Sequence, residues 1–251
     1  MYNLLSYAIV TPTHKSKLSK TEEIRIRLTI ESNKSFFHFF VLPQSQNSVF
    51  FRKKFPNSKI IFFDDKFFKS FNDYNLLLLL PIFYEKFLEF KKIIICQPDA
   101  FIFRKINPNS INNFAYLGAS WNPSFIISEF FNTIFVNRKS LILRNNHELE
   151  SGNGGLSVRD PLVIYKLLLD MGKSKKFNRI IYNNRKINED LMVVFLLKKI
   201  GISPVPKIIA DQYFIENTNP IHYDIQKVLG FHALAKYNPK LESLLLSKYT
   251  E

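Results

Sequence analysis

Residues 93–103 constrain this chain more than any other stretch. They read Ile-Ile-Ile-Cys-Gln-Pro-Asp-Ala-Phe-Ile-Phe, an apolar run broken once and then resumed. A run without alternation suits a strand buried on both faces, the kind found inside parallel or mixed α/β sheets. Pro98 has no N–H to give a ladder, so the strand is expected to break there and leave Asp99 at its end. Strand ends are where open α/β sheets bind ligands. A carboxylate flanked by apolar strands costs free energy unless something pairs with it. Two readings of Asp99 stand open: a cap on a type I turn with Pro98 at its second position, or a locus for metal or phosphate.

The flanking pattern supports the sheet. Residues 7–10, 36–42 and 59–63 read as strands. Between the first two, Ser19 precedes Thr21-Glu22-Glu23, an N-cap signature for a helix continuing through Ile24, Leu28 and Ile30. Strand, helix, strand with short connections predicts βαβ units and a mostly parallel sheet flanked by helices. The apolar period predicts one helix over 75–90, a helix over 161–171 with Pro at its start and Gly172 at its end, one over 191–197, and an amphipathic one over 239–248. Residues 122–150 show no strong period and are expected as loops and short elements over the sheet. Residues 173–185 read as a basic loop. No repeat or linker divides the 251 residues, so a single domain is expected.

The 35 Lys and Arg against 21 Asp and Glu give a net charge of +14, which attracts polyanions. Zinc spacing, a compact basic helix and an RNA-binding aromatic signature are all missing, so nucleic acid is not an expected partner. The single cysteine, Cys96, excludes an internal disulfide and fits a reducing compartment. Neither a long apolar run nor a signal-peptide pattern is evident. The expected location is cytoplasmic, with the charge favouring a peripheral position on the inner face of the cytoplasmic membrane.

Three of the seven glycines, Gly152, Gly154 and Gly155, fall within four positions and let backbone approach a ligand. The spacing is neither that of a P-loop nor that of a dinucleotide fingerprint. Asn188-Glu189-Asp190 opens a helix, where acids suit the macrodipole and a carboxylate can serve as general base. His232 lies between Phe231 and Ala233 in a late apolar segment.

Taken together, these segments resemble one family. Gln97-Pro98-Asp99-Ala100-Phe101-Ile102-Phe103, Tyr116-Leu117-Gly118-Ala119-Ser120-Trp121, the run 152–159, Asn188-Glu189-Asp190 and Phe231-His232-Ala233 look like the motifs Q-x-D-A-F-x-F, Y-x-G-A-P-W, G-N-G-G-F-S-L-R, N-E-D and G-x-H-A. They belong to a glycosyltransferase-like group of GT-A fold, and Val10-Thr11-Pro12-Thr13-His14-Lys15 is similar to that group's nucleotide-side loop. The resemblance implies a GT-A-like, Rossmann-related α/β domain over 1–251. Residues 1–105 would form the nucleotide-binding half and 106–251 the acceptor-binding and catalytic half.

It further implies transfer of a sugar from a nucleotide sugar, UDP-linked by preference, to a hydroxyl of a glycan or lipid-linked glycan in bacterial surface polysaccharide or lipopolysaccharide synthesis. By the same likeness Thr11, Pro12, His14, Gln97, Asp99, Gly154 and Gly155 contact the donor. Asp99 and His232 hold Mn²⁺ or Mg²⁺, and Trp121 and Asn153 meet the acceptor, with a place in the core an equal alternative for Trp121. Asp190 is the base of an inverting reaction, with Glu189 its alternate. Gln97 stands where D-x-D has its first acid, and Ser120 where the group has proline. If metal is dispensable, Arg159, Lys173 or Arg185 would neutralise the diphosphate. The alternatives are an inactive GT-A-like scaffold or a polyanion-binding module.

Overall fold

The computed structural model describes residues 6–130, 133–137, 146–183, 188–216 and 225–247. In chain order the elements are β1 (Ser6–Pro12), α1 (Lys20–Ser32), β2 (Phe37–Pro43), α2 (Val49–Lys54), β3 (Lys59–Phe63), α3 (Phe71–Leu78), α4 (Pro81–Glu85), β4 (Phe90–Cys96), β5 (Ala100–Ile102), α5 (Pro108–Ile111), β6 (Tyr116–Gly118) and β7 (Ser120–Phe130). There follow β8 (Thr133–Asn137), β9 (Asn146–Ser151), β10 (Leu156–Arg159), α6 (Pro161–Met171), α7 (Lys175–Asn183), α8 (Glu189–Lys199), α9 (Lys207–Ala210), β11 (Phe214–Glu216), β12 (Gly230–His232), α10 (Leu234–Tyr237) and α11 (Pro239–Ser247).

The central sheet has the order β3-β2-β1-β4-β10-β6. Its pairs are parallel except where β10 runs against β4 and β6. β4 is buried on both faces, as its sequence requires. Ile93 and Ile95 join one core with Ala8 and Val10, and Ile94 and Cys96 join another with Tyr7 and Ile9. The first core is closed by α3, α4, α6 and the wholly apolar stretch of α8, the second by α5, α9 and β11. The fold is therefore a mixed α/β sheet covered by helices on both sides.

Three details depart from the sequence expectation. The helix expected over 75–90 is two, α3 and α4, because Leu80 is extended before Pro81, which starts the second helix; a proline ring forbids the residue before it the helical region. Residues 122–150, expected as loops, lie largely in a second sheet of order β8-β7-β9. Pro123 interrupts the strand signal there, and the β7–β9 register is irregular across that point. The basic stretch expected as a loop contains α7, which buries Phe177 and Ile181 one turn apart. The C-terminal helix is described to Ser247, and Lys248 lies outside the described residues, as does Arg185.

The Ser19 cap forms as a full capping box with Glu22. Helix α1 also supplies Arg25, whose buried guanidinium pairs with Glu242 of α11 at 2.7 Å. Its Nη1 donates to the Pro98 carbonyl at 3.3 Å. Among the described residues no helix is long and apolar enough to cross a membrane.

Candidate active site

The site begins where β4 ends. A turn runs through Gln97, Pro98 and Asp99 and closes when the Ala100 N–H donates to the Gln97 carbonyl at 2.8 Å. The chain then leaves the central sheet, and β5 enters a third sheet of order β11-β12-β5. The turn reading and the ligand-locus reading of Asp99 are therefore compatible.

Strand register assembles the rest. In the third sheet His232 lies opposite Ala100 on one side and opposite Glu216 on the other. This places the His232 imidazole between two carboxylates, with Nε2 3.4 Å from Asp99 Oδ1 and Nδ1 2.9 Å from Glu216 Oε1. Neither pair has the alignment of a hydrogen bond, so both buried ring nitrogens are without a hydrogen-bond partner. Burial disfavours the imidazolium, but contact with Asp99 and Glu216 outweighs it and raises the pKa to about 9. Ala233, next in sequence, holds a left-handed φ of 52°, which costs a non-glycine residue about 1 kcal/mol or more. Its N–H donates to the Asp99 carbonyl. Backbone strain thus sits at the residue that joins His232 to Asp99.

The glycine loop enters from the central sheet. Leu156 pairs with Cys96, and the Gln97 N–H donates to the Gly155 carbonyl at 2.9 Å. Gly155 is required by its neighbour, since a Cβ there would sit 2.2 Å from His232 Nε2. Gly155→Ala is accordingly expected to destabilise the fold by about 1–3 kcal/mol through overpacking. Adding His232→Ala should relieve most of that loss in thermal unfolding, and no relief would show that the ring is not what the glycine accommodates.

On the other side, the Gly154 N–H donates to Asp190 Oδ2 at 2.9 Å, and the Leu191 N–H to Asp190 Oδ1 at 2.7 Å. Burial and the neighbouring Glu189 carboxylate push Asp190 up to about 7, against those two N–H groups and Arg159. Asn188 occupies the cap position of α8, but its side chain makes no cap hydrogen bond.

Glu189 is differently employed. Both its oxygens bind Arg159, at 2.8 and 3.1 Å. Arg159 is fully buried, also donates to Tyr84 and Ser157, and lies 4.9 Å over the Tyr116 ring. This pair corrects two expectations. Glu189 reaches the glycine loop beside Gly154, but both its oxygens are held by Arg159 and so are not free to act as an alternate base, and the enclosed Arg159 cannot reach a diphosphate. Lys173 is exposed and pairs with Asp170.

The nucleotide-side residues meet at a cleft of about 280 Å³ lined by Pro12, His14, Tyr74, Gln97 and Asp99 among others. It opens at the C-terminal ends of β1 and β4, where the strand order reverses direction, the usual place for a ligand in such a sheet. A larger cavity of about 650 Å³ lies at the other end of the strands, around Phe37, His38 and Ser58, and none of the candidate site residues lines it. Thr11, expected at the donor, is buried against His38 at 3.0 Å, and Thr13 lines the cleft instead. Trp121, for which the sequence leaves a sugar face and a core place as equal alternatives, is buried in the main core beside Gly152. Asn153, expected at the acceptor, spans the loop: its Nδ2 donates to Glu216, and its Oδ1 accepts the Gly155 N–H at 3.0 Å.

Among the described residues no three His, Cys, Asp or Glu side chains form a complete metal cage. What is present is a pair, Asp99 and His232 Nε2, with Glu216 behind the other ring nitrogen. That set fits Mn²⁺ or Mg²⁺ completed by substrate phosphate and water. A metal-ligating histidine usually turns its other ring nitrogen to a carboxylate, and Glu216 stands in that position, 2.9 Å from Nδ1.

The sheet order and the cleft at its switch point define a Rossmann-related, mixed α/β fold. The chain belongs to the family described as protein of unknown function DUF5672, whose sequence profile matches residues 57–232. The glycosyltransferase GlyE of Streptococcus pneumoniae TIGR4, solved in its apo form, superposes with a TM-score of 0.51 over 98% of this chain and 60% of its own, at 10% identity. That likeness shows a shared fold. A putative glucose-1-phosphate thymidylyltransferase from Bacillus anthracis, solved with sucrose, covers 79% of this chain and 85% of its own at 9% identity and a TM-score of 0.44. A search of curated protein sequences gives no match.

Proposed function

We propose that this protein is an inverting glycosyltransferase. It moves a sugar from a nucleotide sugar, UDP-linked by preference, to a hydroxyl of a glycan or lipid-linked glycan in bacterial surface polysaccharide or lipopolysaccharide synthesis. The observation that carries the reading is convergence. Asp99 and His232 stand beside a cleft at the sheet's switch point, and Asp190 lies directly across the Gly154–Gly155 step.

In this reading Pro12, His14 and Gln97 line the donor's seat. Each Asp190 oxygen keeps a lone pair beyond its backbone hydrogen bond, and a pKa near 7 suits a general base at neutral pH. The acceptor hydroxyl gives its proton to Asp190 as its oxygen attacks the anomeric carbon. The bond from that carbon to the diphosphate breaks, and the nucleoside diphosphate leaves with the electron pair. Mn²⁺ or Mg²⁺ on Asp99 and His232 would neutralise the charge gathering on the leaving group. In the absence of metal, an imidazolium at His232 supplies a positive charge at the same place. The net charge of +14 would hold the enzyme near anionic lipid at the inner face of the membrane.

The test is a thermal-shift screen of nucleotides and nucleotide sugars with Mn²⁺, Mg²⁺ or EDTA. A ligand at about a hundredfold its Kd should stabilise the protein by about 2.7 kcal/mol. A shift with one nucleotide-sugar class, diminished by Asp99→Ala, is expected. No shift with any nucleotide would overturn the reading, and a full shift in EDTA would assign the charge to His232 rather than to metal.

A further inference from the structure

We propose that Glu216 is a positioning residue that sets the tautomer and orientation of His232 and ties that histidine to the glycine loop. The inference rests on the reading above, in which His232 Nε2 and Asp99 receive a divalent cation.

The third sheet places Glu216 and His232 as register partners on adjacent parallel strands, so their side chains share a face. Both are largely enclosed, with side-chain exposures of 16% and 11%. Glu216 Oε1 lies 2.9 Å from Nδ1, the ring nitrogen turned away from Asp99. Ligating a cation requires the neutral imidazole, which carries one proton. A carboxylate beside Nδ1 draws it there and leaves the Nε2 lone pair directed toward Asp99 and the cation. The second Glu216 oxygen accepts from Asn153, whose own oxygen holds the Gly155 N–H. One carboxylate thereby fixes both the ligating ring and the backbone that the ring packs against. Motif reading misses Glu216 because Phe-Ile-Glu is an ordinary strand sequence, and only strand pairing brings it to His232.

The experiment titrates the full chain with Mn²⁺, alone and with UDP or GDP, following the free ion by electron paramagnetic resonance. Removing an outer-shell carboxylate typically weakens metal binding 10–100-fold, and Glu216→Ala is expected to do so. Glu216→Gln, which keeps the size without the charge, is expected to lose about 10-fold and covers the case in which the alanine variant does not fold. In a His232→Ala background, replacing Glu216 is expected to change Mn²⁺ affinity no further, because its effect passes through the imidazole. Asp99-dependent binding that survives both Glu216 replacements would overturn this inference and leave the transferase reading intact. An equal loss in the His232→Ala background would reduce Glu216 to a structural residue and also overturn it. No Mn²⁺ binding by the unaltered chain would overturn the metal site and this inference together.

Discussion

Asp190→Asn is expected to lower the rate of sugar transfer by about 10²–10⁴-fold, the usual contribution of a positioned general base, while donor binding in the thermal-shift assay stays intact. The amide is nearly the same size, but one of its two ends is now a donor facing either the Gly154 or the Leu191 N–H. A modest stability loss of about 1–3 kcal/mol accompanies that clash. The pH profile separates the two effects. A base with a pKa near 7 makes kcat/KM rise with pH through neutrality and level off above it, and the variant's residual rate should lack that limb. Stability runs the opposite way. The folded pKa is raised above the unfolded value of about 4, so the group's contribution is present below that value and is lost as pH rises through about 7. A variant with unchanged rate and profile would remove Asp190 from the chemistry.

Glu189→Ala is expected to damage the fold more than any substitution at the cleft. It leaves the Arg159 guanidinium, at 0% exposure, buried without its carboxylate. Breaking a buried pair in this way costs about 3–5 kcal/mol, a Tm drop of roughly 6–20 °C for a chain of this size. Thermal unfolding checks it directly. A variant with native Tm and no turnover would return Glu189 to the role of base. Adjacent acids in one helical turn thus have separate duties, because successive side chains on a helix point about 100° apart. Glu189 turns to Arg159, and Asp190 turns to the glycine loop.

What could be read from the sequence was what local chemistry fixes. The 93–103 run declared its own burial, Pro98 its own break, and Ser19 with Glu22 its own cap. Asp99, His232 and Asp190 stand out as candidates because each sits in a short recognisable segment. The remainder depends on partners far apart in the chain. Glu216 becomes legible only once β11 and β12 pair. Trp121 gave no sign of whether it would face a sugar or Gly152. The Arg159–Glu189 pair spans 30 residues and shows in sequence as two unrelated charges. The single helix expected over 75–90 failed for a different reason: the apolar period was real, but one proline overruled it.

The fastening of the Asp99 turn reaches beyond the segment that defines the family. Arg25 grips the Pro98 carbonyl from one side and Glu242 from the other, while the family match stops at residue 232. A chain trimmed to that boundary would retain Asp99, Asp190 and His232 and lose the anchor on α11. The guanidinium would then face water on one flank, and the turn carrying Asp99 would hang on a cation that had lost its Glu242 partner. Helix α11 therefore braces the Asp99 turn from outside the segment that defines the family.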